Sequence, residues 1–148
     1  MKYDESNEVL NSLIQINNDR LEGYETAAEE TKEEELKNFF MSLIKTSHKC
    51  IEELSAEVTK QGGTPTESTR MTGKFFRVWM DVKAALAGND RKAILESCEY
   101  GEEQAQETYE DALEDEMEIL TSTQLTMINT QYHALKADYE KVKAMVPA

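Results

Sequence analysis

Four long stretches of the chain repeat apolar residues every three or four positions, the spacing that lays one continuous seam along a helix. The first covers 4–30. Its seam is Leu10, Leu13/Ile14, Asn17, Leu21, Tyr24 and Ala28, and Asp4 or Ser6 can cap it. The second covers 32–61. Thr31, with Glu34 three residues later, reads as its capping box, and Gly62-Gly63 reads as its stop. Its seam is Leu36, Phe40, Leu43, Ser47, Cys50 and Leu54. The third, 90–115, carries Ile94, Cys98, Gly101/Glu102, Ala105, Tyr109 and Ala112, and the fourth, 119–146, carries Leu125, Ile128, Tyr132, Leu135, Tyr139 and Val142. No window alternates with period two, so no strand is expected.

Between the second and third long helices lies a crossover, 62–89. It opens with a turn-rich run, GGTPTEST, and continues as a shorter amphipathic helix over 70–87. Met71, Phe75, Trp79, Val82 and Leu86 share one face of that helix, which is expected to dock on the bundle. Gly88-Asn89-Asp90 stops it and caps the next helix. The tight turns make the first two long helices antiparallel neighbours, and the last two likewise. The long crossover lets the second and third run parallel. The fold expected is all-α: one domain over 1–148, a four-helix bundle of ferritin-like arrangement with a short amphipathic helix in its crossover.

Charge narrows the partners. Asp plus Glu number 30 against 16 Lys plus Arg, a net charge of −14 among 148 residues. That field repels phosphate backbones and anionic lipid, so neither nucleic acid nor a membrane surface is expected as partner. No segment approaches the ~20 apolar residues of a membrane span, and no signal-peptide pattern opens the chain, so a cytoplasmic location is expected. The isolated Cys50 and Cys98 read as buried structural thiols in a reducing compartment.

The arrangement raises the question of a metal. Di-iron bundles of this type take a Glu from each of two helices and a Glu-x-x-His from each of the others. Here the residues three before His48 and His133 are Lys45 and Thr130, and both histidines fall well off their seams at about 100° per residue. No metal is therefore favoured. An altered di-iron or di-manganese set would have to draw on Glu22, Glu25, His48, Glu99, Glu102 and His133.

The sharper feature is Glu102, a carboxylate inside an apolar seam. Asn17 and Ser47 lie about equally far from the first turn, and Glu102 and Tyr132 about equally far from the last. All four are expected to meet at mid-height as a polar layer that fixes helix register. Glu102 would there be hydrogen-bonded by some of Tyr132, Asn17 and Ser47, with its proton held above the usual carboxylate range. On that reading Glu102→Leu leaves a folded protein with a similar or higher Tm. Phe75, Phe76 and Trp79 are the candidate partner surface, should the short helix leave bulk exposed.

The segments NSLIQINNDRLEGYETAAEE, RVWMDVKAALAGND and CEYGEEQAQETY resemble an uncharacterised bacterial family of ferritin-like four-helix-bundle proteins, a domain of unknown function. The resemblance implies the ferritin-like fold and assigns no reaction. Many members place a histidine just before the arginine of the short helix, where this chain has Phe76. The function expected is non-enzymatic: a bacterial stress or housekeeping bundle that binds an unknown protein partner or forms a homo-oligomer. The alternative is a metal-dependent oxidase or iron-handling protein with an altered ligand set.

Overall fold

A computed structural model describes residues 2–69 and 74–147, with the side chains of 74–76 outside that description. Among the described residues the chain forms five helices and no strand: α1 (Asp4–Glu30), α2 (Glu34–Lys60), α3 (Lys74–Ala87), α4 (Arg91–Asp115) and α5 (Ser122–Met145). The bounds expected for the long helices hold to within three residues. The expected start of the short helix at 70–73, with Met71, lies outside the described residues.

The helix ends show which local signals acted. Gly62, at φ +81°, closes α2, with Gly62 N–H donating to Thr59 and Gly63 N–H to Val58. This is a Schellman stop, and it needs a residue at ease in the left-handed region. Asn89, at φ +51°, closes α3 in the same way, with Asp90 N–H reaching Ala85. Asp90 then caps α4 by accepting from Ala93 N–H. The capping box expected at Thr31 does not form. Thr31 ends α1, and Glu33 precedes α2 without a side-chain cap. The box forms instead at Thr121 and Gln124, at the head of α5. Neither Asp4 nor Ser6 caps α1; Tyr3 holds the cap position without a side-chain bond.

Hydrogen bonds set the directions of the helices. Gln61 donates to Asn7, and Arg20 donates to Ser47, so α1 and α2 are antiparallel. Tyr132 donates to Glu110 and Tyr139 to Glu103, so α4 and α5 are antiparallel. Asn17 pairs with Tyr109 while Arg20 pairs with Glu102, which makes α1 antiparallel to α4 and α2 parallel to α4.

The crossover climbs along α1 to allow this. Asn11 binds the backbone of Thr64 and Thr66, Gln15 binds the Ser68 hydroxyl, and Asn18 binds the Ser68 carbonyl. These side chains form a polar stripe at three-four spacing. Higher up, α3 packs on α1 and α4 through buried Val78, Val82 and Leu86 and half-buried Trp79. Two glycines permit the approach: a Cβ on Gly23 would lie 2.4 Å from the Trp79 ring, and one on Gly101 2.9 Å from Val78. The chain thus arrives at the α1–α2 turn, where Arg91 pairs with Glu33 and Glu35.

Among the described residues the buried apolar side chains divide into two cores. The first holds Leu10, Leu13, Cys50, Leu54, Ala105, Tyr109, Ile128 and Leu135. The second holds Tyr24, Phe40, Leu43, Ile94, Cys98 and Val142. Asn17, Arg20, Ser47, Glu102 and Asp138 lie between them in sequence on each helix, and all five are buried.

Candidate functional site

A single arginine organises that middle layer. Arg20 is 2% exposed and Glu102 1%. Arg20 Nε donates to Glu102 Oε2 at 2.8 Å and Nη2 to Glu102 Oε1 at 2.6 Å, a two-point pair matched to the fork of the guanidinium. Nη2 also donates to Asp138 Oδ2 at 3.2 Å, and Nη1 to Ser47 Oγ at 2.6 Å. One cation from α1 therefore meets groups from α2, α4 and α5. Lys141 Nζ, 4.0 Å from Asp138, brings a second positive charge from the solvent side.

From Ser47 the hydrogen bonds run on in one direction. Ser47 donates to Asn17 Oδ1 at 3.0 Å, and Asn17 Nδ2 donates to Tyr109 OH at 2.8 Å and to the Leu13 carbonyl at 2.9 Å. Tyr109 donates to Gln131 Oε1 at 2.7 Å, and Gln131 donates to Glu53 and to the Cys50 carbonyl. The chain ends on a partly exposed carboxylate, Glu53. Nearly every buried polar atom along it is used, which is what makes so polar a layer tolerable inside an apolar bundle.

Above the layer, Tyr24 stacks on Phe40 with centroids 5.7 Å apart and meets Trp79 edge-on at 5.1 Å, while the Arg20 guanidinium sits 5.5 Å from its ring. Among the described residues the buried Tyr24 hydroxyl has no hydrogen-bond partner. Burial raises its pKa, and the nearby Glu102 charge raises it further. Burial likewise raises Tyr109 and pushes the Cys50 thiol up to about 11. Cys98 is raised by burial and then by Glu102, so neither thiol is primed as a nucleophile.

Of the four residues expected in the polar layer, Asn17, Ser47 and Glu102 come together and Tyr132 does not. Tyr132 is half-buried against the first core, and its hydroxyl donates to Glu110 at 2.7 Å rather than to the layer. Neither Tyr132 nor Asn17 nor Ser47 bonds Glu102; Arg20 does. The partner of the carboxylate is a guanidinium rather than hydroxyls and an amide. Arg20, Asp138 and Gln131 are the members that the apolar seams did not reveal, and Tyr109, a seam residue expected only as core, joins the layer through its hydroxyl. A signal was present: Leu10, Leu13, Asn17, Arg20, Tyr24 and Ala27 form an unbroken three-four register, as do Gln124, Ile128, Gln131, Leu135, Asp138 and Val142, and all are buried.

The candidate metal ligands do not converge. Glu22, Glu25, His48 and His133 are exposed and Glu99 is half-buried, while Glu102 is occupied by Arg20. Among the described residues no group of three or more His, Cys, Asp or Glu is placed to hold a metal ion. The donor set at mid-bundle therefore does not fit a di-metal centre: a guanidinium lies between the carboxylates that would have to bridge one. In the candidate partner surface, Trp79 is half-buried against α1, and the side chains of Phe75 and Phe76 lie outside the described residues. No helix among the described residues is long and apolar enough to cross a membrane.

No curated protein matches this chain. Residues 5–115, from the first turn of α1 to the end of α4, match a family described as a domain of unknown function, and the chain belongs to that family, DUF2383.

Proposed function

We propose that this is a non-enzymatic bundle of ferritin-like topology, a bacterial cytoplasmic protein of stress or housekeeping role that acts by binding or self-association. The topology is supported by two antiparallel hairpins whose second and third long helices run parallel through a full-length crossover. The observation that carries the absence of catalysis is Arg20. At mid-height, where a bundle of this topology would assemble a metal from carboxylates, the positive charge belongs to the chain itself and is held by two-point contact to Glu102. A tethered guanidinium has no open coordination position and no titration near neutral pH, so it offers neither redox chemistry nor a proton to exchange.

Elemental analysis tests the reading. Protein purified without chelator, and the same protein after anaerobic Fe(II) loading, is expected to carry no stoichiometric iron or manganese. About two equivalents per chain, the content of a di-metal carboxylate bundle, would overturn it in favour of a metal-dependent oxidase or iron-handling protein.

A further inference from the structure

We propose that the cleft between α1 and α3 binds a small organic ammonium ion, its apolar body against Trp79 and its charged head at Glu22. The proposal rests on the reading that the chain works by binding, and it names the site and the ligand class.

The cleft has a volume of about 300 Å³ and is open to solvent. That is the lower end of the size range of small-molecule sites. On α1 its wall includes Glu22, Gly23 and Ala27, and on α3 Trp79, Lys83 and Leu86, so two helices run side by side and each offers one face. Gly23 sets the geometry. A Cβ there would lie 2.4–2.5 Å from three atoms of the indole, so the ring lies flat over the α1 backbone. Edge-on contact with Tyr24 helps to hold it. The indole is thus a fixed wall, and Ala27, Val82 and Leu86 supply an apolar floor.

The rim decides the ligand's charge. On the α1 side it carries Asp19 and Glu22. Asp19 is buried and already has an interaction of its own, whereas Glu22 is exposed on the same rim and is the carboxylate offered to a ligand. Lys83 stands on the opposite rim, exposed and on a flexible stem. A net charge of −14 decides between the two ends, because the field of the whole molecule concentrates cations at its surface and depletes anions. An ammonium ion with a flat or branched apolar body satisfies all of these features together.

Trp79 is the single tryptophan, so its emission reports on the cleft directly. The probe is phenethylammonium, with phenethyl alcohol as its uncharged counterpart. A saturable change in emission with the amine is expected, with the alcohol weaker by about tenfold or more, equivalent to about 1.4 kcal/mol. Glu22→Gln, a change at an exposed position, is expected to weaken the amine by about threefold or more, in the range of a single exposed charge contact, and to leave the alcohol unchanged. No saturable response to the amine, equal responses to amine and alcohol, or an unchanged amine affinity in Glu22→Gln would each overturn the proposal. Metal content of the same preparation tests the non-enzymatic reading separately, so either can fail while the other stands.

Discussion

At the scale of the residue, Arg20 and Glu102 depend on each other. Removing one partner of a buried ion pair strands the other charge, at a cost of about 3–5 kcal/mol, whereas replacing both by apolar residues is often neutral or stabilising. Arg20→Met and Glu102→Leu are each expected to lower stability by roughly that amount, read as a fall in the urea unfolding midpoint. The double variant should recover most of the loss, with Asp138 keeping Lys141 beside it. Additive losses in the double variant would show that the pair does not act as a unit. This revises the expectation that Glu102→Leu alone is harmless. That expectation placed the carboxylate among hydroxyls and an amide, and the two-point pair with the guanidinium reverses the predicted sign. Beside Arg20 stands Leu21, beside Gln131 stands Tyr132, and beside Asp138 stands Tyr139. Choosing the more apolar of two neighbours shifts the seam by one residue, about 100° of helix. A polar group that is buried because it is paired has no hydrophobic signature, only register.

At the scale of the element, the docking of α3 turns on two glycines with different neighbours. Replacing glycine by alanine within a helix gains about 1 kcal/mol from propensity alone. At Gly101 the new methyl would meet Val78 Cγ1 at 2.9 Å, the end of a single side chain. There the gain and the strain are expected to offset each other to within about 1 kcal/mol. At Gly23 the methyl would meet the face of a rigid indole at 2.4 Å, so Trp79 must leave or the helices must separate. Overpacking of that kind costs about 1–3 kcal/mol. Gly23→Ala is therefore expected to be the destabilising change and to shift Trp79 emission to the red, while Gly101→Ala does neither. Equal effects at the two sites would mean that α3 docks more loosely than these contacts require. The sequence marked α3 as amphipathic and bound to dock. It did not mark where, because a glycine in a helix reads only as a weakness until the ring that needs its missing side chain is known.

At the scale of the whole molecule, the buried acids couple the fold to alkaline pH. Cys50, at about 11 against an ordinary value of 9.0, holds its proton in the folded state longer than in the unfolded chain. Cys98, Tyr24 and Tyr109 are shifted in the same direction, each chiefly by burial. Below about pH 9 both states are protonated at Cys50 and its contribution is complete. As pH rises toward 11 the unfolded chain ionises first and stability falls, by about 1.4 kcal/mol per pH unit for each such group. The urea midpoint is expected to be level from neutrality to about pH 9 and to drop steeply beyond, with a shallower drop in Cys50→Ala. A midpoint unchanged beyond that pH would show these groups to be reached by solvent.

Much of this molecule was present in its sequence because helices announce themselves locally. The three-four spacing, the Gly62 stop, the Asp90 cap and the tight turns concern residues within a few positions of one another, and they determined five helices and the antiparallel pairing. The mid-height meeting of Asn17, Ser47 and Glu102 followed from counting along those helices. What only the tertiary structure decided was every matter of partnership: that Arg20 answers Glu102 across 82 residues, that Thr121 rather than Thr31 completes a capping box, that the Tyr132 hydroxyl goes to Glu110, and that Gly23 receives Trp79. The physical reason is common to them all. Burial of an apolar side chain is favourable whatever its neighbour, so a pattern along the chain can announce it. Burial of a charge or a ring against a backbone is favourable only beside one particular partner, and that partner is chosen in space.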